Sequence, residues 1–128
     1  MDTENKNIII EPVKEFVKYM RKKIKSKGMM KKDVLYLADV PLRYGYKLLL
    51  GEKTTKQRDI IIRICYASKF TEQELQEALK LYEMPMLYKR ILRDKYILEF
   101  FNTKKYDIES FNEYLTNKNV SPLKGCGE

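Results

Sequence analysis

The chain has 128 residues, is 44% hydrophobic and 34% charged, and carries a formal charge of +8 with no histidine. That is enough apolar material for one domain with a real core, and too much for a disordered chain. Without histidine, and with Cys65 and Cys126 far apart, there is no zinc site of the Cys/His kind, and the commonest general base at neutral pH is missing.

The opening MDTENKNIII is acidic and polar before a short apolar run, unlike a secretory signal. No apolar run approaches the roughly 18 residues of a membrane span. The glycines form neither GxGxxG nor GxxxxGK. These features predict a cytoplasmic, non-enzymatic protein with no cofactor, no metal and no membrane partner. The expected boundaries are a flexible N-terminus over 1–10, a main domain over 11–82, a C-terminal helical hairpin over 83–118 packed on it as one globular unit, and a flexible tail over 119–128.

Pro12 suits a first helical turn, and Val13, Phe16, Val17, Met20 and Ile24 form one apolar stripe, so a helix is predicted over 12–27. Gly28 is a natural stop. A short helix follows over 31–38, with Val34, Leu35, Leu37 and Ala38 as its buried side and Asp33 near its positive end. Asp39-Val40-Pro41 interrupts it. Residues 42–50 read as a second short helix that contains Gly45 and stops at Gly51. A polar loop over 52–56 leads to an apolar helix over 57–68, rich in isoleucine and expected at the centre.

Thr71 and Glu74 make a capping box for a helix over 72–82. Beyond Pro85, the apolar pattern predicts a helix over 86–102. Asp107 caps a last helix bearing Ile108, Phe111, Tyr114 and Leu115. From Asn119 the chain reads as loop, with Leu123 as its one candidate anchor. The fold class is all-α, a compact bundle of about seven helices.

The second half contains a repeat. Arg58-Asp59 aligns with Arg93-Asp94 at an offset of 35, and after a one-residue slip Leu75 meets Phe111, Leu79 meets Leu115 and Leu87 meets Leu123. Two helical hairpins stacked on each other are expected. The paired Arg-Asp dipeptides, at helix starts, point to structural pairing rather than chemistry.

Charge is segregated. Residues 11–58 carry fourteen Lys or Arg against five acids, a net +9, whereas 59–128 balance eleven against eleven. Such a stretch attracts polyanions. Two short helices in tandem lie within it, and when such a pair binds DNA the N-terminal residues of the second helix face base edges. Arg43, Tyr44 and Lys47 are the base-reading candidates; an arginine can bind guanine through two hydrogen bonds. Tyr46 is open between a backbone contact and the core. Lys31, Lys32, Lys53, Thr54, Thr55 and Lys56 are the phosphate-contact candidates, with Thr54 or Thr55 also available to cap the following helix.

Residues from about 13 to 80 resemble the Cro/C1-type, or Xre-like, helix-turn-helix domain. The resemblance rests on the basic first helix, the pair Lys32–Ala38 and Leu42–Leu50, the run Gly51-Glu52-Lys53 with its polar loop, the apolar helix after it and the capped helix from Thr71. The remainder looks like the extension carried by some small Firmicute members. The resemblance implies five packed helices followed by the hairpin, sequence-specific binding to double-stranded DNA, and regulation of transcription in a bacterium. It also places Arg43, Tyr44 and Lys47 where the family's base-reading residues lie. The chain departs from the family at Asp39-Val40-Pro41, where a glycine turn is frequent, and at Gly45.

A homodimer on a two-fold site, joined by the aromatic-rich C-terminal hairpins, is the expected assembly. Two other functions stand beside DNA reading: a helical adaptor that binds a partner protein through this scaffold, and non-specific nucleic-acid binding.

Overall fold

The computed structural model describes residues 13–126. The N-terminal segment 1–10, Pro12 and the last two residues of the tail lie outside that range. The described residues form seven α-helices and no strand: α1 (Lys14–Ser26), α2 (Lys31–Ala38), α3 (Leu42–Leu50), α4 (Arg58–Ala67), α5 (Glu72–Leu81), α6 (Leu92–Phe101) and α7 (Ile108–Asn117). The bundle expected from the sequence is therefore present.

The helix ends have a common cause. Gly28 and Gly51 take the left-handed conformation that ends a helix, and so do Asp39, Lys69, Glu83 and Asn119. At Asp39 the amide of Val40 closes back on the Leu35 carbonyl at 3.0 Å; at Lys69, Phe70 closes on Cys65 at 3.1 Å. Apolar residues follow five of these six stops: Met29, Val40, Phe70, Met84 and Val120. The amide of each closes back on a carbonyl of the helix it leaves, and its side chain lies in or against the core. At the other ends, Thr71 and Glu74 form the expected capping box, and Asp107 accepts from the Ser110 amide at 2.7 Å.

Three expectations need correction. The helix predicted over 86–102 begins only at Leu92. Leu87 is instead held in an extended segment by Gln76, whose side-chain amide donates to the Leu87 carbonyl and accepts from its N–H. Leu87 is buried, while Ile91 and Leu92 stay exposed. Leu37, expected on the buried side of α2, is exposed. The segment 119–126 is not a loose tail. Leu123 is buried as its candidate anchor, its N–H donates to Asn112 at 2.7 Å, and the Lys124 N–H donates to Asp59 at 2.8 Å.

At the centre lies α4, every residue of which from Ile60 to Ala67 is buried. It packs on α2 and α5, and α1 covers α5 and α3. The Phe16 ring meets Tyr82 edge-on at 4.7 Å, which places the start of α1 beside the end of α5. Tyr66 joins the hairpin α6–α7 to α4: its ring contacts Phe100, Phe101, Tyr106 and Phe111, and its hydroxyl accepts from the Tyr106 amide at 2.9 Å.

The repeat is realised as a pseudo-two-fold. Arg58 donates to Asp94 at 2.7 Å, and Arg93 grips Asp59 through two bonds of 3.2 and 2.9 Å. Each dipeptide thus exchanges partners with its copy, the signature of a two-fold relation. The correspondence extends outward. Arg58 donates to the carbonyls of Pro85 and Met86, and Arg93 to those of Ser121 and Pro122. Asp94 accepts from the Tyr88 amide, and Asp59 from the Lys124 amide. Gln76 holds Leu87 as Asn112 holds Leu123. The outer faces differ: the positions of the buried Ile60, Ile61 and Ile64 are taken on α6 by Lys95, Tyr96 and Glu99.

Candidate nucleic-acid interface

The turn between α2 and α3 is built by Asp39, whose φ of 58° fills the left-handed position usual for glycine. Asparagine and aspartate tolerate it better than other side chains do. Val40 then enters the core, and Pro41 starts α3 with the φ its ring fixes. Gly45 lies on the inner face of α3 against Leu35 of α2, and a Cβ there would fall 2.8 Å from Leu35 Cδ1. The glycine inside this helix is what lets the two helices approach so closely.

The outward row of α3 is Arg43, Lys47 and Leu50, spaced four and three residues apart. Arg43 is exposed and Lys47 half-buried, and neither has an ion pair among the described residues. Tyr44 is not on that row. It is half-buried on the side of Leu48 and lines a cleft with Pro41, Thr55, Gln57 and Ile60. Tyr46 borders a different concavity, with Met29, Met30 and Lys31.

The phosphate-contact candidates divide in two. Lys31 and Lys32 begin α2, and Met30 supplies no side-chain cap to the amides there. Lys53, Thr54 and Lys56 are exposed in the loop after α3. Thr55 is occupied: its N–H donates to the Tyr82 hydroxyl at 2.8 Å and its Oγ1 accepts from the Gln57 amide at 3.0 Å. It fixes the entry to α4. Burial raises the Tyr82 pKa, and the Thr55 hydrogen bond pulls it part-way back.

Part of the basic face of α1 is structural as well. Lys27 and Lys23 reach Glu74 of α5 at 2.8 and 3.3 Å. Burial works against the charge on Glu74, but hydrogen bonds from Lys27, the Thr71 amide and Lys23 outweigh it, and the carboxyl lies below its ordinary range. Arg21, Lys22 and Lys25 remain exposed and have no ion pair among the described residues.

Comparison with family models, with curated proteins and with solved structures finds no match. The site is therefore read from its own geometry.

Several features escaped the sequence reading. Arg63 is buried in α4 and donates to the carbonyls of Ala38, Leu123 and Lys124 at 3.1, 2.8 and 2.7 Å. A lone cation inside an isoleucine-rich helix was the available signal. Tyr36 is 82% exposed, and Leu37 and Leu42 are exposed near it. They border an open cleft with Asp33, Asp39, Asp107 and Glu109, the acidic side of the helix pair. Cys65 is fully buried, and its pKa is raised by burial and by Glu74, which leaves it an inert core thiol. Among the described residues no cluster of metal-ligating side chains occurs. No helix among them is long and apolar enough to cross a membrane.

Proposed function

We propose that the protein is a non-enzymatic, DNA-binding regulator of transcription of the Cro/C1 type, with α3 as the helix that enters the major groove. The observation that carries this reading is the outward row Arg43–Lys47, on a helix set closely against α2 by Gly45 and the Asp39 turn. Lysines with no ion pair among the described residues stand on both sides of it, Lys31 and Lys32 at the start of α2 and Lys53 and Lys56 after α3. Phosphate contacts position such a module, and base-edge contacts give it sequence choice. Arg43 is the base reader in this scheme, Lys47 supports it, and Tyr44 shapes the helix from behind. One module contacts few bases, so two copies on a two-fold site complete the reading.

The test is duplex binding in a salt series. Arg43→Ala is expected to cost about 1–3 kcal/mol on a selected site and to relax the preference at one position. Lys47→Ala is expected to weaken binding with less effect on preference. Absence of duplex binding even at low salt ends this reading. Binding that ignores sequence and Arg43 alike reduces it to non-specific association.

A second reading, a helical adaptor for a partner protein, is favoured by Tyr36, Leu37 and Leu42. These exposed apolar side chains sit on the same helix pair, beside the acidic cleft. Retention of a partner by wild type and its loss in Tyr36→Ala, with no duplex binding in either, would select this reading.

A further inference from the structure

We propose that the concavity between the end of α1, the α1–α2 turn and α3 is an oxyanion pocket that holds one phosphate of the nucleic-acid backbone. The inference rests on the DNA-binding reading and deepens it by naming the residues that fix how the duplex lies. The pocket is lined by Arg21, Ile24, Lys25, Met29, Met30, Lys31 and Tyr46, with a volume of about 360 Å³. Among the described residues its wall holds three cations and a phenol hydroxyl, and no carboxylate.

Like charges converging on one concave space repel one another, and that cost is relieved by an anion among them. Arg21 and Lys25 stand one turn apart on α1, and neither has an ion pair among the described residues, unlike Lys23 on the same helix and Lys27 at its cap. Lys31 opens α2, an eight-residue helix that places the positive end of its dipole at this wall. Ile24 and Met29 supply apolar lining beside these cations, while Met30 is exposed.

The place of the pocket gives it a function. Tyr46 belongs to its wall and lies next to Lys47 and one turn from Arg43 on α3. A phosphate seated there anchors a backbone strand beside the edge of the reading helix. The open cleft along α2 carries Asp33, Asp39, Asp107 and Glu109 against Lys32 and Arg63, a lining of net negative charge. Between a basic pocket and a cleft of net negative charge, the strand is steered to the pocket side.

The experiment compares two charge-matched pairs. Arg21→Ala/Lys25→Ala removes two charges from the pocket, and Lys14→Ala/Lys22→Ala removes two exposed charges of the same helix outside it. Duplex affinity is measured against salt for both, beside Tyr46→Phe. In parallel, inorganic phosphate is titrated into the wild-type protein while the amide and tyrosine ring signals are followed by NMR. The pocket pair is expected to lower the magnitude of the slope of log K against log salt by about 0.9, the value of one lost phosphate contact. The control pair should change it by clearly less, and phosphate should shift the signals of Lys31 and Tyr46. Equal effects of the two pairs would overturn the proposal, because bulk charge would then suffice. If no duplex binds but phosphate shifts those signals, the pocket stands as a site for the free ion and the DNA reading fails. If neither duplex nor phosphate is bound, the pocket fails too.

Discussion

Gly45 shows how one missing side chain sets the spacing of the candidate interface. Glycine costs about 1 kcal/mol in a helix interior, so alanine at an exposed position would stabilise the chain. Here the added methyl would meet the Leu35 side chain, 3.0 Å from Cγ and closer to both terminal methyls, so the buried Leu35 would have to shift to admit it. Gly45→Ala is therefore expected to lower stability by about 1–3 kcal/mol, the cost of overpacking, and to weaken any duplex binding by tilting α3. Urea denaturation reads the sign directly; a stabilised variant would show that α2 and α3 can separate freely. Asp39 works at the same scale. Its backbone takes the left-handed conformation that glycine usually fills, so the turn between α2 and α3 is made without one. Its carboxylate still lines the acidic cleft.

At the scale of the element, α1 is tied to α5 through Glu74, which closes the capping box of its own helix while it accepts Lys27 and Lys23. The folded carboxyl lies below its ordinary 4.5. A group with a lowered folded pKa contributes stability above its unfolded value and loses it as pH falls through the folded one. Wild type should thus be more stable than Glu74→Gln at neutral pH, by about 1 kcal/mol for a partly exposed tether and part of a cap. The difference should shrink as pH drops below 4.5 and vanish once the carboxyl is protonated. Thermal melts of both chains across that window check it; a gap that persists in acid would assign the effect to shape rather than charge.

The elements also show what a sequence can and cannot display. Gly28, Gly51, Thr71 and Asp107 act within one turn of themselves, so the boundaries they set were readable. The start of α6 was not, because Leu87 and Ile91 continue a helical pattern that long-range bonds from Gln76 and Asp94 override. The reciprocal Arg-Asp pairs were half legible: repetition marked them as structural, but their exchange across a pseudo-two-fold is a property of packing. In the candidate site, the periodicity of α3 was enough to set Arg43 and Lys47 outward. The inward turn of Tyr44 depends on Thr55 and Ile60, residues that reach it only through the fold.

For the whole molecule the deciding residue is Arg63. Its guanidinium binds Ala38 at the end of α2 and both Leu123 and Lys124 of the C-terminal segment, so one buried cation couples α2 to the C-terminal repeat. The aromatic residues of that repeat are largely spent inside the chain, on Tyr66, and its outer tyrosines, Tyr96 and Tyr114, lie under Lys118. The repeat thus serves first as an internal partner for α4. Removing Ser121 and everything after it would leave Arg63 only the Ala38 carbonyl of its three acceptors and strip Arg93 and Asp59 of their backbone partners. A buried cation that loses its acceptors costs about 3–5 kcal/mol, a large share of the roughly 5–15 kcal/mol that holds a domain together. The shortened chain is expected to melt far earlier, in one transition that takes α2 and α3 with it. Lys124→Ala, which keeps the backbone carbonyl and amide, should melt like wild type. Denaturation followed at Tyr36 on α2 and at the Tyr66 cluster separates the outcomes: unchanged midpoints would make the segment dispensable, and two separate transitions would make the halves independent.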